Sequence, residues 1–313
     1  MKPRTIAAVV VLLAVAALYP LYTGSYQQSV ATTVLMYMAL SVSWDILLRS
    51  GQLSLGIAGF FGLGAYTGGL VFLHLGVPRL LSLLIGGVMS FAVAALVGLA
   101  VLRLRGLYFA IVTLALAEIF RVIARNWSSV TGGSEGEFLP TAIFNGDSAL
   151  IYLMVLVIAV ASIALSEVFR RTKWHFALTS IRNNETVART SGVNIYKYLV
   201  FAFAISAGIQ GVIGAAYSHS YGFLTPENSF SVDFTLLPIA MGLLGGIYGT
   251  AGPIVGALLL GFVGEYLKLY IPYGHLIVYG IIIVLVIVFM PQGITGLIKS
   301  RLRARRETGG AVQ

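Results

Sequence analysis

RRTKWHFALTSIRNNETVARTSGVNIYK, residues 170–197, is the longest polar interval between two long apolar runs of this chain, and it carries six of the 20 Lys and Arg residues. Asn183 and Asn184 are poor helix formers and good caps, so the stretch fits two short helices with a break as well as one helix. Gly192 stands where a glycine commonly ends a helix. A bare loop would need neither apolar periodicity nor a glycine stop, so the pattern predicts a folded knob (residues 170–197) that docks into another protein.

The knob has two sets of candidate contact residues on different helix faces. The apolar set recurs at helical spacing and consists of Leu178, Ile181 and Ala188. The charged set follows at i, i+3 and i+7, a spacing that lets neighbours pair, and consists of Arg182, Glu185 and Arg189. We expect the charged set to lie on one short helix face that meets the partner, with the apolar set packed beneath it.

Composition identifies a polytopic all-α membrane protein. The 313 residues are 58% hydrophobic and only 10% charged, too little charge to cover the surface of a soluble protein of this size. There is no Cys, which excludes disulfides and thiolate metal sites. Basic residues collect on the cytoplasmic side of membrane proteins, so the net charge of +9 does not indicate a nucleic-acid partner.

Apolar runs of the length needed to span a bilayer predict about ten transmembrane helices in one transmembrane domain, residues 1–313. The candidate spans are 5–22, 30–48, 53–73, 80–102, 106–124, 149–169, 198–218, 234–248, 252–271 and 276–294. Glycines interrupt the third and eighth, so either is a candidate broken or re-entrant helix, and eight spans with two re-entrant segments remain an alternative. With the N-terminus inside, 16 of the 20 Lys and Arg residues fall on the cytoplasmic side, which places both termini there and residues 125–148 and 219–233 outside.

Two glycine-rich segments, 51–69 and 242–256, stand in the two halves of the chain. A pair of interrupted spans is the usual sign of a substrate region in a transporter, although close helix packing is the better explanation of such glycines. The candidates for a translocation path are Gln52, Ser54, Gly245 and Gly246.

Ionisable residues within spans are rarer. Glu118 with Arg121 and Glu265 with Lys268 have the spacing of structural ion pairs. Asp45 also lies within a span, with Arg49 at i+4 as its nearest possible partner. If Asp45 were instead free, the alternative would be a proton-coupled secondary transporter.

Motifs for catalysis are missing. The sequence has no HExxH, nucleophile elbow, paired His ligands or phosphate-binding loop. We therefore expect neither an enzyme nor a metal site nor a cofactor bound by this chain, and if ATP drives the protein, another chain hydrolyses it.

Several motifs, taken in order, resemble one transporter family. They are GQLSLG and FFGLGAYT within 51–67, RLRGLYFAIVTLALAEIFR at 103–121, NW and TGGSEG within 126–136, SIRNNETVARTSGVN at 180–194 and MGLLGGIYGTAGPIVGALLL at 241–260. Together they resemble the permease subunits of branched-chain amino acid ABC importers, in particular the longer of the two permease types. Relatives that import urea or short amides share many of these motifs, so such cargo is the alternative.

The resemblance implies a bacterial inner-membrane protein that pairs with a second, homologous permease as a heterodimer. It implies two cytoplasmic ATPases, which hold ATP and Mg²⁺, and a periplasmic substrate-binding protein. Glu185, Ala188 and Gly192 resemble the cytoplasmic coupling motif of such permeases. Ile57 and Asp45 differ from the residues usual in the family, and we add both to the path candidates.

The outer loop 125–148 is a candidate docking surface for the binding protein, on the side poor in basic residues. Its predicted contact residues are Thr131, Gly132, Gly133 and Ser134. A capped turn without a partner is the alternative, since exposed glycine-rich loops are common.

Overall fold

A computed structural model of the protein describes residues 3–140, 142–271, 280–281, 284 and 293–297. Within these residues, seven helices are long and apolar enough to cross a membrane. They are α2 (Ser25–Leu48), α3 (Ile57–Leu75), α4 (Arg79–Val101), α5 (Leu107–Asn126), α7 (Ser148–Arg170), α10 (Ile195–Tyr221) and α13 (Ala251–Tyr270). The protein is therefore a multi-pass helical membrane protein, as composition predicts.

Shorter elements connect these helices. The helices are α1 (Pro3–Leu18), α6 (Ser128–Thr131), α8 (Lys173–Asn183), α9 (Glu185–Thr190), α11 (Pro226–Ser229) and α12 (Asp233–Gly245), with 3₁₀ turns at Tyr19–Leu21 and Ile143–Gly146. Two strands, β1 (Glu137–Phe138) and β2 (Phe223–Leu224), pair antiparallel and join the two predicted outer loops. The sequence gives no signal for this pairing because each strand has only two residues.

The centre of the bundle is formed by α3, α4 and α10, which pack through small residues. A Cβ atom on Gly64 would overlap the backbone of Gly211, and one on Gly68 would lie 2.6 Å from Cβ of Ala215. The Gly64–Gly68 step therefore lets α3 approach α10 closely. This confirms the packing interpretation of that glycine pair.

The third and eighth candidate spans differ from continuous helices. The third begins late, at Ile57, because residues 52–56 are not helical. The eighth ends at Gly245 as α12, whose 13 residues give about 20 Å of helix against a hydrocarbon core of about 30 Å. The prediction of a complete span over residues 234–248 is therefore wrong, and the alternative of a broken element describes α12 better.

The tenth candidate span, residues 276–294, lies mostly outside the described residues, and so do both chain ends and the basic run near residues 299–306.

Candidate functional site

The knob forms two short helices, α8 and α9, with the break at Asn184. Asn184 is extended, at φ −159° and ψ 108°, and its side-chain oxygen accepts a hydrogen bond from the backbone N–H of Val187 at 3.1 Å. It thus caps α9 at its N-terminus. The sequence allows either one helix or two short helices with a break, and the structure has the two short helices.

The end of α9 is set by Gly192. Its φ of +81° lies in the left-handed region, where glycine is favoured. The N–H of Val193 bonds to the carbonyl of Ala188, and the N–H of Gly192 to that of Arg189, at 3.0 and 3.1 Å. These two bonds form a Schellman motif, which turns the chain into α10.

The apolar residues of the knob face inward. Leu178, Ile181 and Ala188 are all buried and belong to the main hydrophobic core. Ala188 therefore packs within its own chain and presents nothing to a partner. The apolar groups that the knob does expose are Phe176 on α8 and Val187 on α9, which are 68% and 57% exposed. Sequence periodicity did not single out these two residues.

The charged residues do not share one helix face, so that prediction is wrong. Arg182 belongs to α8, whereas Glu185 and Arg189 belong to α9. Glu185 accepts two hydrogen bonds from Arg105, each of 3.1 Å, and one of 3.4 Å from the exposed Arg189. The bidentate pair with Arg105 ties the knob to the turn between α4 and α5.

Two further contacts fix α8 to the bundle. The guanidinium carbon of Arg182 lies 3.9 Å from the ring centroid of Tyr248, in the turn between α12 and α13. The ring of Trp174 stacks on Phe201 of α10 with a centroid distance of 4.1 Å. Together with the Arg105–Glu185 pair, these contacts attach the knob to α10, to the α4–α5 turn and to the α12–α13 turn.

His175 lies on α8 near the inner ends of the spans. Burial lowers the pKa of His175 below its ordinary value, and the charges of Arg49, Arg170 and Arg182 lower it further. The imidazole is therefore held in its neutral form at neutral pH.

Residues 52–56 form a non-helical strap (Gln52–Gly56), and two of its backbone groups are bound by side chains of other helices. Thr113 of α5 accepts a hydrogen bond from the N–H of Leu55 at 2.9 Å. The indole N–H of Trp44 donates to the carbonyl of Ser54 at 3.0 Å. Non-helical backbone at membrane depth is tolerated where protein surrounds it, and in transporters it marks substrate regions.

The strap contains two of the predicted path residues. Gln52 and Ser54 are buried, and Oε1 of Gln52 has no hydrogen-bond partner among the described residues. Ile57 follows the strap and is fully buried in the main core. All three pack inside this chain, and a path-lining function for them stays a prediction.

Asp45 forms a buried ion pair with Arg49. The guanidinium Nε lies 2.9 Å from Oδ2 of Asp45, and both side chains have no exposed surface. Arg49 also donates to Ser166 on α7, and Oδ1 of Asp45 accepts from the N–H of Tyr248 at 2.6 Å. The expected i, i+4 partner is thus present, and this enclosure argues against a free proton-carrying acid.

Gly245 and Gly246 lie where α12 ends and the chain turns toward α13. A Cβ atom on Gly245 would overlap the backbone of Gly252, so the two helices pack with their backbones in contact. Gly246 has φ +113° and ψ 134°, a conformation that glycine adopts readily. Close packing explains both glycines, and a path function for them stays a prediction.

The outer loop is built as a turn. Thr131 is buried, and its hydroxyl donates to the carbonyls of Ala124 and Trp127. Gly132 and Gly133 have positive φ angles of 71° and 61°. Of the four predicted docking residues, Ser134 is the exposed one, and docking through this loop stays a prediction.

A comparison with known proteins identifies a family match over most of the chain. The family model described as "Branched-chain amino acid transport system / permease component" matches residues 26–287. No solved structure matches the chain significantly.

Curated relatives agree with the family model. The high-affinity branched-chain amino acid transport system permease protein LivM of Escherichia coli is 30% identical over 95% of this chain and 76% of its own length. Two proteins of Methanocaldococcus jannaschii are also similar. Its probable branched-chain amino acid transport permease LivM is 26% identical over 69% of this chain and 67% of its own length. Its LivH counterpart is 24% identical over 56% of this chain and 58% of its own length.

Proposed function

The chain belongs to the branched-chain amino acid transport permease family and is a permease subunit of an ABC importer, and from this premise we propose that it carries branched-chain or related amino acids across the bacterial inner membrane. In the proposed complex it pairs with a second, related permease. Two cytoplasmic ATPase subunits hold ATP and Mg²⁺, and a periplasmic binding protein delivers the cargo. Similarity to relatives named LivM and LivH supports the permease pair.

The observation that carries the coupling proposal is the construction of the knob. It exposes Phe176 and Val187 outward, while three contacts attach it to α10, to the α4–α5 turn and to the α12–α13 turn. A displacement of the knob by an ATPase would therefore move three parts of the bundle together. A loop held only at its two ends could not transmit such a movement.

Substitutions at two neighbouring residues of α9 distinguish a residue that contacts the ATPase from a residue that stabilises the fold of this chain. Val187→Asp places a charge on the exposed surface of α9, and truncating or charging an anchor in a packed interface commonly costs about 2 kcal/mol or more. We expect co-purified ATPase and uptake both to fall, while the chain keeps its melting temperature. Leu75→Asp, which places the same charge on an exposed apolar residue at the end of α3 and outside the candidate docking loop 125–148, is the matched control.

Ala188→Asp should behave differently from Val187→Asp, because Ala188 is buried in its own chain. A buried unpaired carboxylate destabilises the fold, so this variant should lower expression and melting temperature. If Val187→Asp kept full ATPase binding and full uptake, the knob would not be the coupling element.

Cargo is tested with the complete complex. Vesicles that contain all subunits and ATP should accumulate leucine, isoleucine or valine in preference to urea and short amides. The buried Asp45–Arg49 pair supports ATP-driven transport over proton coupling. Collapsing the proton gradient should therefore leave uptake intact, while removing ATP should abolish it.

A further inference from the structure

A cavity of about 620 Å³ lies where the knob meets the turn between α4 and α5. Its volume falls within the range of about 300–1,000 Å³ that is typical of small-molecule sites. None of the predicted path residues lines it. The polar residues of its wall are Arg103, Arg105, Glu185, Arg189, Asn194 and Tyr196.

The wall of this cavity carries an excess of positive charge. Three arginines and one glutamate line it, which leaves a net charge of +2. Glu185 already accepts two hydrogen bonds of 3.1 Å from Arg105 and one of 3.4 Å from Arg189. Arg103 is exposed, and its side chain has no ion pair or hydrogen bond among the described residues. Positive charge that the chain leaves unbalanced in a cavity favours an anionic ligand.

Ion pairs within α5 and α13 give the contrast. Nη2 of Arg121 lies 2.6 Å from Oε1 of Glu118, which confirms the pairing expected from the i, i+3 spacing. Nζ of Lys268 lies 2.5 Å from Oε1 of Glu265, which confirms the second such pairing. Each of these pairs is neutral, whereas the arginines of the cavity outnumber their one acceptor.

The chemistry of the wall suits a phosphate group. A guanidinium group presents a fork of N–H donors that binds two phosphate oxygens at once. The neutral polar groups of the wall are engaged within this chain, since the Tyr196 hydroxyl donates to the carbonyl of Leu99 and Oδ1 of Asn194 caps α10. The arginines therefore supply the donors for a ligand.

The cavity lies at the level of the membrane where spans end. Beside it α4 ends, and α5 and α10 begin. Next to its arginines in sequence, the side chains of Leu104, Leu107 and Tyr108 are exposed. Exposed apolar groups at a span end suit acyl chains, and Tyr is enriched at membrane–water interfaces. Basic cavities between membrane helices bind the headgroups of anionic lipids.

We infer that this cavity binds the phosphate headgroup of an anionic phospholipid from the leaflet on the knob side. The headgroup bridges Arg103 of the α4–α5 turn and Arg189 of α9, and the acyl chains lie along the exposed apolar residues of the turn. The bound lipid is thus a further attachment of the knob to the bundle. This site goes beyond the proposed transport function and does not depend on the identity of the cargo.

The site leaves the surface proposed for an ATPase free. Arg189 lines the cavity, whereas Val187 does not. Residues two positions apart on a helix do not share a face, so the two side chains of α9 point to different sides. A lipid headgroup and an ATPase can therefore bind the knob at the same time.

The experiment labels the cavity in the complete importer, reconstituted in phosphatidylcholine nanodiscs. Phosphatidylglycerol that carries a headgroup diazirine should, on irradiation, form adducts within residues 102–108 or 189–196, which mass spectrometry of peptides locates. A phosphatidylcholine analogue with the same diazirine should label these peptides less. Unlabelled phosphatidylglycerol should compete with the labelled lipid, and excess inorganic phosphate should not.

Arg103→Gln removes the one arginine of the wall that has no partner in the described part of this chain. Labelling should fall about fivefold, the effect of one basic residue near an anionic membrane surface. The melting temperature in detergent without anionic lipid should stay unchanged, because Arg103 is exposed. Arg171→Gln is the matched control, since Arg171 is exposed, lies outside the cavity and leaves Glu167 paired with Arg170. It should keep full labelling.

Other outcomes would overturn the inference. Equal labelling of Arg103→Gln and the unaltered protein would reduce the contact to general lipid contact. Labelling that appeared only after removal of the ATPases would assign the arginines to an ATPase, and competition by inorganic phosphate as strong as by phosphatidylglycerol would assign the site to free phosphate. Uptake is measured in parallel. ATP-driven uptake without labelling contradicts only this inference, whereas labelling without such uptake contradicts only the proposed function.

Discussion

Replacing Arg49 by Met should destabilise the protein strongly, because it leaves Asp45 charged and buried. The substitution removes the hydrogen bond of 2.9 Å that Arg49 donates to Asp45. It also removes the hydrogen bonds of 3.2 and 2.7 Å that Arg49 donates to the carbonyl and hydroxyl oxygens of Ser166. The backbone N–H groups of Tyr248 and Gly249 would remain to stabilise the carboxylate. Removing one partner of a fully buried pair costs about 3–5 kcal/mol, and we expect that loss in the free energy of unfolding.

The double variant Asp45→Asn/Arg49→Met should be more stable than Arg49→Met alone. It removes both charges, and the amide oxygen at position 45 can still accept from Tyr248. Unfolding by sodium dodecyl sulfate, followed by Trp fluorescence, measures both variants. Arg170→Met is the matched control, since Arg170 pairs with Glu167 at 2.6 Å on a partly exposed surface and should cost less than about 1 kcal/mol. The reasoning fails if Arg49→Met costs no more than this control, or if the double variant gains nothing.

Four further outcomes are expected. Gly192→Val should lower the free energy of unfolding by about 1–2 kcal/mol through backbone strain alone, since a Cβ atom there meets nothing within 4 Å; an equal melting temperature would contradict this. Gly64→Ala should force α3 away from Gly211 and lower the yield of folded protein, which size-exclusion chromatography detects. The stability contributed by neutral His175 is complete above its ordinary pKa of 6.5 and is lost as pH falls below it, so denaturation at pH 5.5 should be easier than at pH 7.5, and His175→Gln should reduce the difference. A single cysteine at Ser134 should react with an impermeant thiol reagent added to intact cells, and labelling only after lysis would reverse the orientation.

The spans could be predicted closely because hydrophobic length is a property of the local sequence. The fifth candidate, 106–124, is found as Leu107–Asn126, and the sixth, 149–169, as Ser148–Arg170. The start of α3 could not be predicted in this way. It depends on Thr113, whose hydroxyl holds the N–H of Leu55 from a helix 58 residues away in sequence.

The site shows the same division between local and distant causes. The break at Asn184 and the left-handed Gly192 follow from the preferences of single residues, and the sequence indicates both. The position of Arg182 depends instead on Tyr248, which belongs to a turn that folds against α8 from far along the chain. Periodicity placed Arg182 with Glu185 and Arg189 because it treats the stretch as one continuous helix, whereas the break at Asn184 puts Arg182 on α8 and the other two residues on α9.

Adjacent residues of α2 hold the two non-helical segments of the membrane region. Trp44 binds the strap through the carbonyl of Ser54, and Asp45 binds the α12–α13 turn through the N–H of Tyr248. Tyr248 itself has φ +66°, a strained value for a side chain of its size, so the turn depends on these contacts to keep its shape.

Arg182 of the knob packs on the α12–α13 turn and lies next to the residue that precedes the strap. Its guanidinium covers the ring of Tyr248, and its stem passes Gly51, where an added Cβ atom would lie 3.2 Å from Cγ of Arg182. Gly51 immediately precedes the strap, so one side chain of the knob lies beside the residue before the strap and against the α12–α13 turn. Since Trp44 and Asp45 of α2 also bind the strap and the turn, we expect a displacement of the knob by the proposed ATPase to reach both segments at once.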